Sequence, residues 1–400
     1  MSPPSHLVVI GGGVQGSSVA YFASQMAPSH RPGKITLIEA NSHLAPHASG
    51  KGGGFMARSW GDGTSTEQLH HYAFDKHAEL AAEWGLKTYR KLPVLSVAGE
   101  GKKGFGSMRG TPNWLDGKGA GVRSMGDGSD TAQVTPGEYV EAASSRSGAT
   151  VLLNTRVVGV ELSELPDGEQ AVAGVEIVTA DGSRSVLEAD AVCLSTGPWG
   201  CMAEDWFPTI SSPMEGIKST SVTFPARETA NDAVALFCNE DSRFNTHLEV
   251  YPRPDGTVYC CGVGGSDYIP AAELRQGAFL SGCDPKEARV EAATATLHAM
   301  SDAYKGIAPK SSQACMRPCA PDALPIMGPV PGVAGAFLNY AHNCWGIAWA
   351  PATGTAMAEL ICLGETTFDL SAFNVERFGA PAKRGGRGRK KKGEAVGEQW

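Results

Sequence analysis

The chain of 400 residues is 42% hydrophobic and 19% charged, with a formal net charge of −8 and a pI near 5.7. That apolar content supports a large core, expected as two interleaved domains, and the acidic balance excludes the folded body as a general nucleic-acid binder. No run of roughly 18 apolar residues is present, so no membrane-spanning helix is expected. The first strand begins almost at once, which is read as leaving no room for a signal or transit peptide. Ten cysteines without a C-x-x-C pair read as reduced thiols of a cytoplasmic protein rather than as disulfides or zinc ligands.

In chain order, Leu7-Val8-Val9-Ile10 reads as a buried parallel strand with helices on both faces of its sheet. A Gly11-x-Gly13-x-x-Gly16 turn follows and opens a helix. Gly11 makes the tight turn, Gly13 lets a pyrophosphate approach the backbone, and Gly16 lets helix and strand pack closely. The positive end of the helix then faces the phosphates. A second strand, 34–38, ends in Glu39, the acid expected on the ribose hydroxyls, which argues against a cofactor carrying a ribose phosphate. The run Ser49-Gly50-Lys51-Gly52-Gly53-Gly54 is too rich in glycine for a stable helix or strand interior. It is expected to be a loop around the cofactor. His43 and His47 beside it are expected to be solvated.

An amphipathic helix is expected over 66–90, with Leu69, Phe74, Leu80 and Trp84 on or near its buried side. Residues 99–130 are poor in apolar side chains and read as an excursion with mobile parts. Pro136 suits the first turn of another helix. Short strands are expected at 151–154 and from Thr155 to Val160, then a hairpin of 171–178 and 183–187 joined at Asp181-Gly182. A buried strand at 189–195 ends in Thr196-Gly197, where glycine permits close approach to a cofactor. From 201 to 311 the pattern turns β-rich, with a helical run at 286–303, as for an antiparallel sheet inserted into the nucleotide-binding domain. Cys260 and Cys261 are adjacent in a strand and so face opposite sides. Small residues around Gly346 lead into a helix placed at 355–363.

These stretches, in this order, resemble the FAD-dependent amine and amino-acid oxidoreductases of the D-amino-acid oxidase, glycine oxidase and sarcosine oxidase family. The resemblance rests on the Gly11–Gly16 turn with Glu39, the Ser49–Gly54 loop, Thr196-Gly197-Pro198-Trp199, Arg317-Pro318 with Asp322 to Gly328, and His342-Asn343-x-x-Gly346 with Pro351-Ala352-Thr353-Gly354. It runs from Leu7 to Phe378. It implies an α/β fold: a Rossmann-like FAD-binding domain of the glutathione-reductase type over 1–98, 131–200 and 312–378. An inserted antiparallel or mixed β-sheet substrate domain is expected over 99–130 and 201–311. The FAD contacts it implies are Gly11, Gly13, Val14, Gln15, Gly16, Glu39, Ala40, Asn41, Ser49, Gly50, Lys51, Gly52, Gly53, Val157, Thr196, Gly197, Trp199, Gly346 and Ile347.

The activity implied is oxidation of the C–N bond of a small amine or amino acid by hydride transfer to the flavin. Arg317 is the candidate anchor of a substrate carboxylate, its alternative being a structural pair with an aspartate such as Asp322. His342 is the second candidate catalytic residue, beside the flavin, or else a packing histidine. Lys51 and Arg58 either act on anions or face solvent, and Tyr251 and Tyr259 either cap a substrate or pack in the core. In the sarcosine-oxidase branch a cysteine equivalent to Cys315 is bonded to the flavin. Here Arg317-Pro318 follows, as in branches that hold FAD non-covalently, and a buried inert thiol is expected. A second reading is a flavin-binding protein with vestigial catalysis that acts in protein interaction or trafficking. A nicotinamide dehydrogenase fits the Thr196-Gly197 and Gly346 elements less well. No metal site is expected. The basic tail from 379 to 400 reads as disordered and solvated, with nuclear or membrane-surface association as its alternative.

Overall fold

The computed structural model describes residues 2–98, 111–115, 121–228 and 232–379. The basic tail beyond Gly379 and most of the 99–120 stretch lie outside the described residues.

Among the described residues the strands make three sheets. In the first, β1 (His6–Ile10) pairs in parallel with β2 (Lys34–Ile38) and β10 (Ala191–Leu194). Parallel β6 (Thr150–Leu152) lies beyond β2 and parallel β19 (Ala336–Tyr340) beyond β10, and antiparallel β17 (Ile326–Pro329) closes that edge. Pleating sends alternate residues of β1 to opposite faces. Leu7 and Val9 join a cluster with helices α1 (Val14–Ser24), α3 (Glu67–Trp84), α4 (Pro136–Arg146) and α8 (Gly346–Leu363). Val8 and Ile10 join a second cluster. This second face is covered by a small sheet of β7 (Thr155–Glu164), β8 (Gln170–Thr179), β9 (Arg184–Glu188) and β18 (Val333–Ala334), through Val157, Val172, Val175 and Ile177. The expectation of helices on both faces is corrected here. The strand requires apolar cover, and an antiparallel sheet with one apolar face supplies it as well as helices do.

The third sheet holds β3 (Phe55–Ala57), β4 (Arg90–Val97), β5 (Val122–Gln133), β11 (Glu215–Phe224), β12 (Ala235–Cys238), β13 (Thr246–Pro252), β14 (Val258–Val263), β15 (Asp267–Pro270) and β16 (Ser311–Cys319). It is mixed: β12 runs parallel to β4, and the other pairings are antiparallel. β3 and β4 come from before residue 98 and β16 from after 310, so membership of this sheet crosses the boundaries drawn from the sequence. β5 occupies part of the segment expected as an excursion. Its ladder with β4 is made by backbone groups and asks little of glycine- and serine-rich side chains. Behind this sheet α7 (Glu287–Met300) buries Val290, Ala293 and Leu297. Cys260 faces that apolar layer and Cys261 the opposite side, as alternation requires.

Three helix expectations change. α3 stops at Trp84, where Gly85 adopts a left-handed φ of 69° and ends the helix, and β4 begins soon after. The Ser49–Gly54 run contains a single helical turn, α2 (Ala48–Lys51), because its first residues close one turn before the glycines resume. Two short helices, α5 (Ala203–Trp206) and α6 (Ala271–Arg275), are tied by the Arg275–Glu204 ion pair. α8 begins at Gly346 rather than near 355, and most of it is buried against α1 and α3. By length and composition alone Asn343–Leu363 would be long and apolar enough to cross a membrane. Small residues let α8 cross α1 closely. A Cβ on Gly354 would stand 2.7 Å from the Ser18 Cβ.

Pro351 lies inside α8 and has no N–H to give to the Ile347 carbonyl four residues earlier. His77 of α3 replaces that donor: its Nε2 bonds Ile347 O at 2.9 Å. Burial pushes the His77 imidazole down from 6.5 to about 4, so it is neutral and donates from Nε2. Because the folded-state value lies below the unfolded one, the unfolded chain takes up this proton first as pH falls. The contribution is full above 6.5 and is lost as pH falls toward 4. For this group the loss is roughly 3 kcal/mol. His77→Gln keeps a donor and removes the titration. Urea unfolding of the two proteins at pH 8 and pH 5 is expected to show a smaller pH-dependent drop in the variant.

Candidate functional site

The end of β1, the start of α1 and the end of β10 meet at one point. Gly11 has φ +109°, and a Cβ there would lie 2.4 Å from Ser195 O. A Cβ on Gly16 would lie 2.0 Å from Gly11 O, so helix and strand pack backbone to backbone. Gly13 is extended, and its Cβ would meet only the Ser49 hydroxyl, at 2.9 Å. Ser49 Oγ in turn accepts from Val14 N at 2.9 Å, which lays the α2 turn over the start of α1. At the end of β2 the buried Glu39 accepts from Gly12 N at 3.0 Å through Oε2 and from Asn41 N at 2.9 Å through Oε1. Gln15 clamps α8: its Nε2 donates to Gly346 O at 2.7 Å, and its Oε1 accepts from Thr353 at 2.6 Å.

A cavity of about 340 Å³ starts at this point and ends under the third sheet, within the size range of small-molecule sites. Of the expected FAD contacts, Gly11, Gly13, Val14, Gln15, Glu39, Ala40, Asn41, Ser49, Gly52, Gly53, Val157, Thr196, Gly197, Trp199, Gly346 and Ile347 line it. Gly16, Gly50 and Lys51 do not. Gly16 is consumed in packing on Gly11, and Gly50 packs on the Ala45 carbonyl. Lys51 Nζ donates to Ala314 O at 3.0 Å, tying the loop to β16. Arg58 pairs with Asp75 outside the cavity lining. His47, expected in solvent, forms part of the wall. It packs against Trp199 at a tilt of 56° with ring centroids 4.8 Å apart and bonds Leu280 O at 3.1 Å, and burial lowers its pKa.

At the far end β16 brings Arg317 into the same cavity, with Nη1 donating to Asn343 Oδ1 at 3.4 Å. Burial opposes its charge, but Cys344, Glu249, Cys315 and Cys261 together outweigh that cost and hold its pKa above the usual value. Asp322 is not its partner. That carboxylate pairs with Arg377 at 2.7 Å. His342 is buried on the cavity wall, with no hydrogen-bond partner at either ring nitrogen among the described residues. Desolvation drives its pKa down to about 3, so it is a neutral imidazole. The Thr196 hydroxyl on the same wall is likewise unpartnered. Cys315 also faces the cavity. Burial raises its thiol to about 11, against the opposing pull of Arg317, and leaves it protonated.

Phe55, Trp60, Phe237, Tyr251, Tyr259 and Trp345 complete this end as an aromatic wall, with Phe55 and Trp60 rings 5.3 Å apart. Tyr251 and Tyr259 pack against each other and line the cavity. Sequence reasoning missed Glu249, which lines the cavity between these rings. Its only signal is a single charge in the alternating strand Leu248-Glu249-Val250-Tyr251, a pattern that ordinarily marks a solvent face.

The two glycines predict separable defects. Gly16→Ala is expected to lower the melting midpoint even of the flavin-free protein, because rigid backbone must move. Gly13→Ala is expected to keep the flavin-free midpoint within a few degrees while weakening FAD binding by about tenfold, a loss near 1.4 kcal/mol. Calorimetry of flavin-free and FAD-loaded protein separates the two.

The pattern of the FAD dependent oxidoreductase family (DAO) matches residues 6–360. A protein of Schizosaccharomyces pombe is 26% identical over 394 residues, covering 92% of this chain and 96% of that protein. Glycine oxidase of Pseudomonas putida is 29% identical over 210 residues, about half of each protein (51% and 49%). Among solved structures, glycine oxidase from Bacillus cereus superposes with a TM-score of 0.72 at 20% identity, covering 93% of this chain and 98% of that one, which establishes a shared fold. The glycine turn, which holds backbone rather than side chains at the start of the cavity, and the unpartnered Thr196 and His342 along one cavity are a fit for FAD. By the extent of that match this chain belongs to the FAD-dependent oxidoreductases of the DAO family.

Proposed function

We propose that this FAD-dependent oxidoreductase oxidises a small amino acid at the carbon next to nitrogen, holds the substrate carboxylate with Arg317, and binds FAD without a covalent bond. The observation that carries the reading is a half-buried guanidinium in the same cavity as the glycine cradle. A guanidinium fork matches a carboxylate with two parallel charge-assisted hydrogen bonds. The names of relatives such as glycine oxidase support an amino acid as the substrate. FAD, when bound, supplies the acceptor for the hydride that leaves the substrate carbon.

The chain's own residues hold, orient and dry the substrate. Arg317 fixes one end of it, so the carbon to be oxidised has a defined place along the cavity. The rings of Phe237, Tyr251 and Trp345 exclude water. His342, neutral to about pH 3, has both ring nitrogens available to a bound molecule and takes up no proton in the working range. A protonated Cys315 thiol is a poor nucleophile toward a flavin ring, which supports non-covalent attachment.

The absorbance spectrum of the purified protein before and after acid precipitation tests the cofactor reading. The yellow colour is expected in the supernatant. Colour kept in the pellet and lost in Cys315→Ala would overturn non-covalent attachment. Anaerobic mixing with amino acids and amines tests the substrate. Reduction of the flavin is expected with an amino acid, and Arg317→Ala is expected to raise its half-saturating concentration on the order of a hundredfold. Unchanged half-saturation would remove Arg317 from carboxylate binding.

A further inference from the structure

The cavity holds a carboxylate that the reading above does not use. Glu249 sits on β13, between β12 and β14, where its register partners are Phe237 and Cys261. Alternation sends Leu248 and Val250 into the apolar layer behind the sheet and puts Glu249 and Tyr251 on the cavity side. The Tyr251 hydroxyl donates to Oε2, and the Cys261 thiol approaches the same oxygen at 3.4 Å. Both donors converge on Oε2, and among the described residues no donor is seated on Oε1. Tyr251 is itself held between Phe55 and Phe237, with ring centroids 5.7 and 5.9 Å away, so the carboxylate is fixed in place.

A charge set in an aromatic wall is costly unless a cation comes to it. Arg317 feels the Glu249 charge, but the guanidinium is already assigned to the substrate carboxylate. We infer that Glu249 receives the substrate's ammonium group, so that Arg317 and Glu249 read the two ends of a zwitterion. This rests on the carboxylate-anchoring role of Arg317. It makes the cavity a charge filter. A simple carboxylic acid brings a second negative charge up to Glu249, whereas an amino acid brings its own compensation.

Two probes of one shape test it: 2-aminoisobutyrate, and pivalate, in which a methyl replaces the ammonium. Neither has a hydrogen on the carbon next to the carboxylate, so neither can donate a hydride there, and binding is read as a change in the flavin spectrum of the FAD-loaded full chain. The wild type is expected to bind 2-aminoisobutyrate about tenfold or more tighter than pivalate. Glu249→Gln is expected to bind 2-aminoisobutyrate more weakly and pivalate more tightly, with the flavin retained. A structural role would shift both probes the same way. Glu249→Asp keeps the charge and is expected to keep the wild-type order of preference. The inference is overturned if both probes weaken together in Glu249→Gln, if neither moves, or if Asp loses the preference as Gln does. If the wild type binds the probes equally and Arg317→Ala loses both, only the Glu249 assignment falls. If the loaded wild type responds to neither probe and no amino acid reduces it, the Arg317 reading itself fails.

Discussion

The backbone contact between Gly11 and Gly16 is the constraint on which the rest of the site depends. It presses α1 against β1 where the cavity begins. The same turn abuts Ser195, so the end of β10 delivers Thr196 and Gly197 to that spot. On its other side α1 accepts α8 at close range, because Gly354 offers no side chain. Gln15 then sets where α8 begins by holding Gly346 and Thr353 together. Three elements remote in sequence therefore converge on one cavity through backbone proximity, and a single methyl group in the wrong place would part them.

The other end of the cavity obeys a different rule. Here the mixed sheet forms a roof of rings with few charges in it. Electrostatics at low dielectric is strong, and each charge must have a stated partner. Arg317 and Glu249 compensate each other in part, His342 stays neutral, and the thiols of Cys261 and Cys315 stay protonated. A wall of this composition favours a molecule that carries both charges and little water. The glycine cradle governs close approach, and the roof governs charge.

A similar replacement of a missing partner stabilises the helix layer. Pro351 would leave a carbonyl unpaired inside a buried helix, and His77 fills the gap from the neighbouring helix. The price is a buried histidine that must remain neutral. The proline therefore ties the stability of α8, whose first residues line the cavity, to pH.

The cofactor end was legible because its signals are local. The strand, the glycine spacing, the helix start and Glu39 at the end of β2 are dictated by conformations of neighbouring residues, and a chain of this pattern has few other ways to turn. The hairpin at Asp181-Gly182 and the Thr196-Gly197 strand end were readable for the same reason. The sequence by itself thus determined the nucleotide fold and most of the residues around its cradle. Tertiary structure alone decided what depends on distant pairing. It placed His47 in the wall, gave Asp322 to Arg377 rather than Arg317, covered the second face of the parallel sheet with strands, and began α8 at Gly346. It also turned one face of β13 over the cavity, which makes Glu249 part of a site instead of a surface charge. Alternation in a strand reports that two faces differ, and only the packing of the sheet says which one meets water.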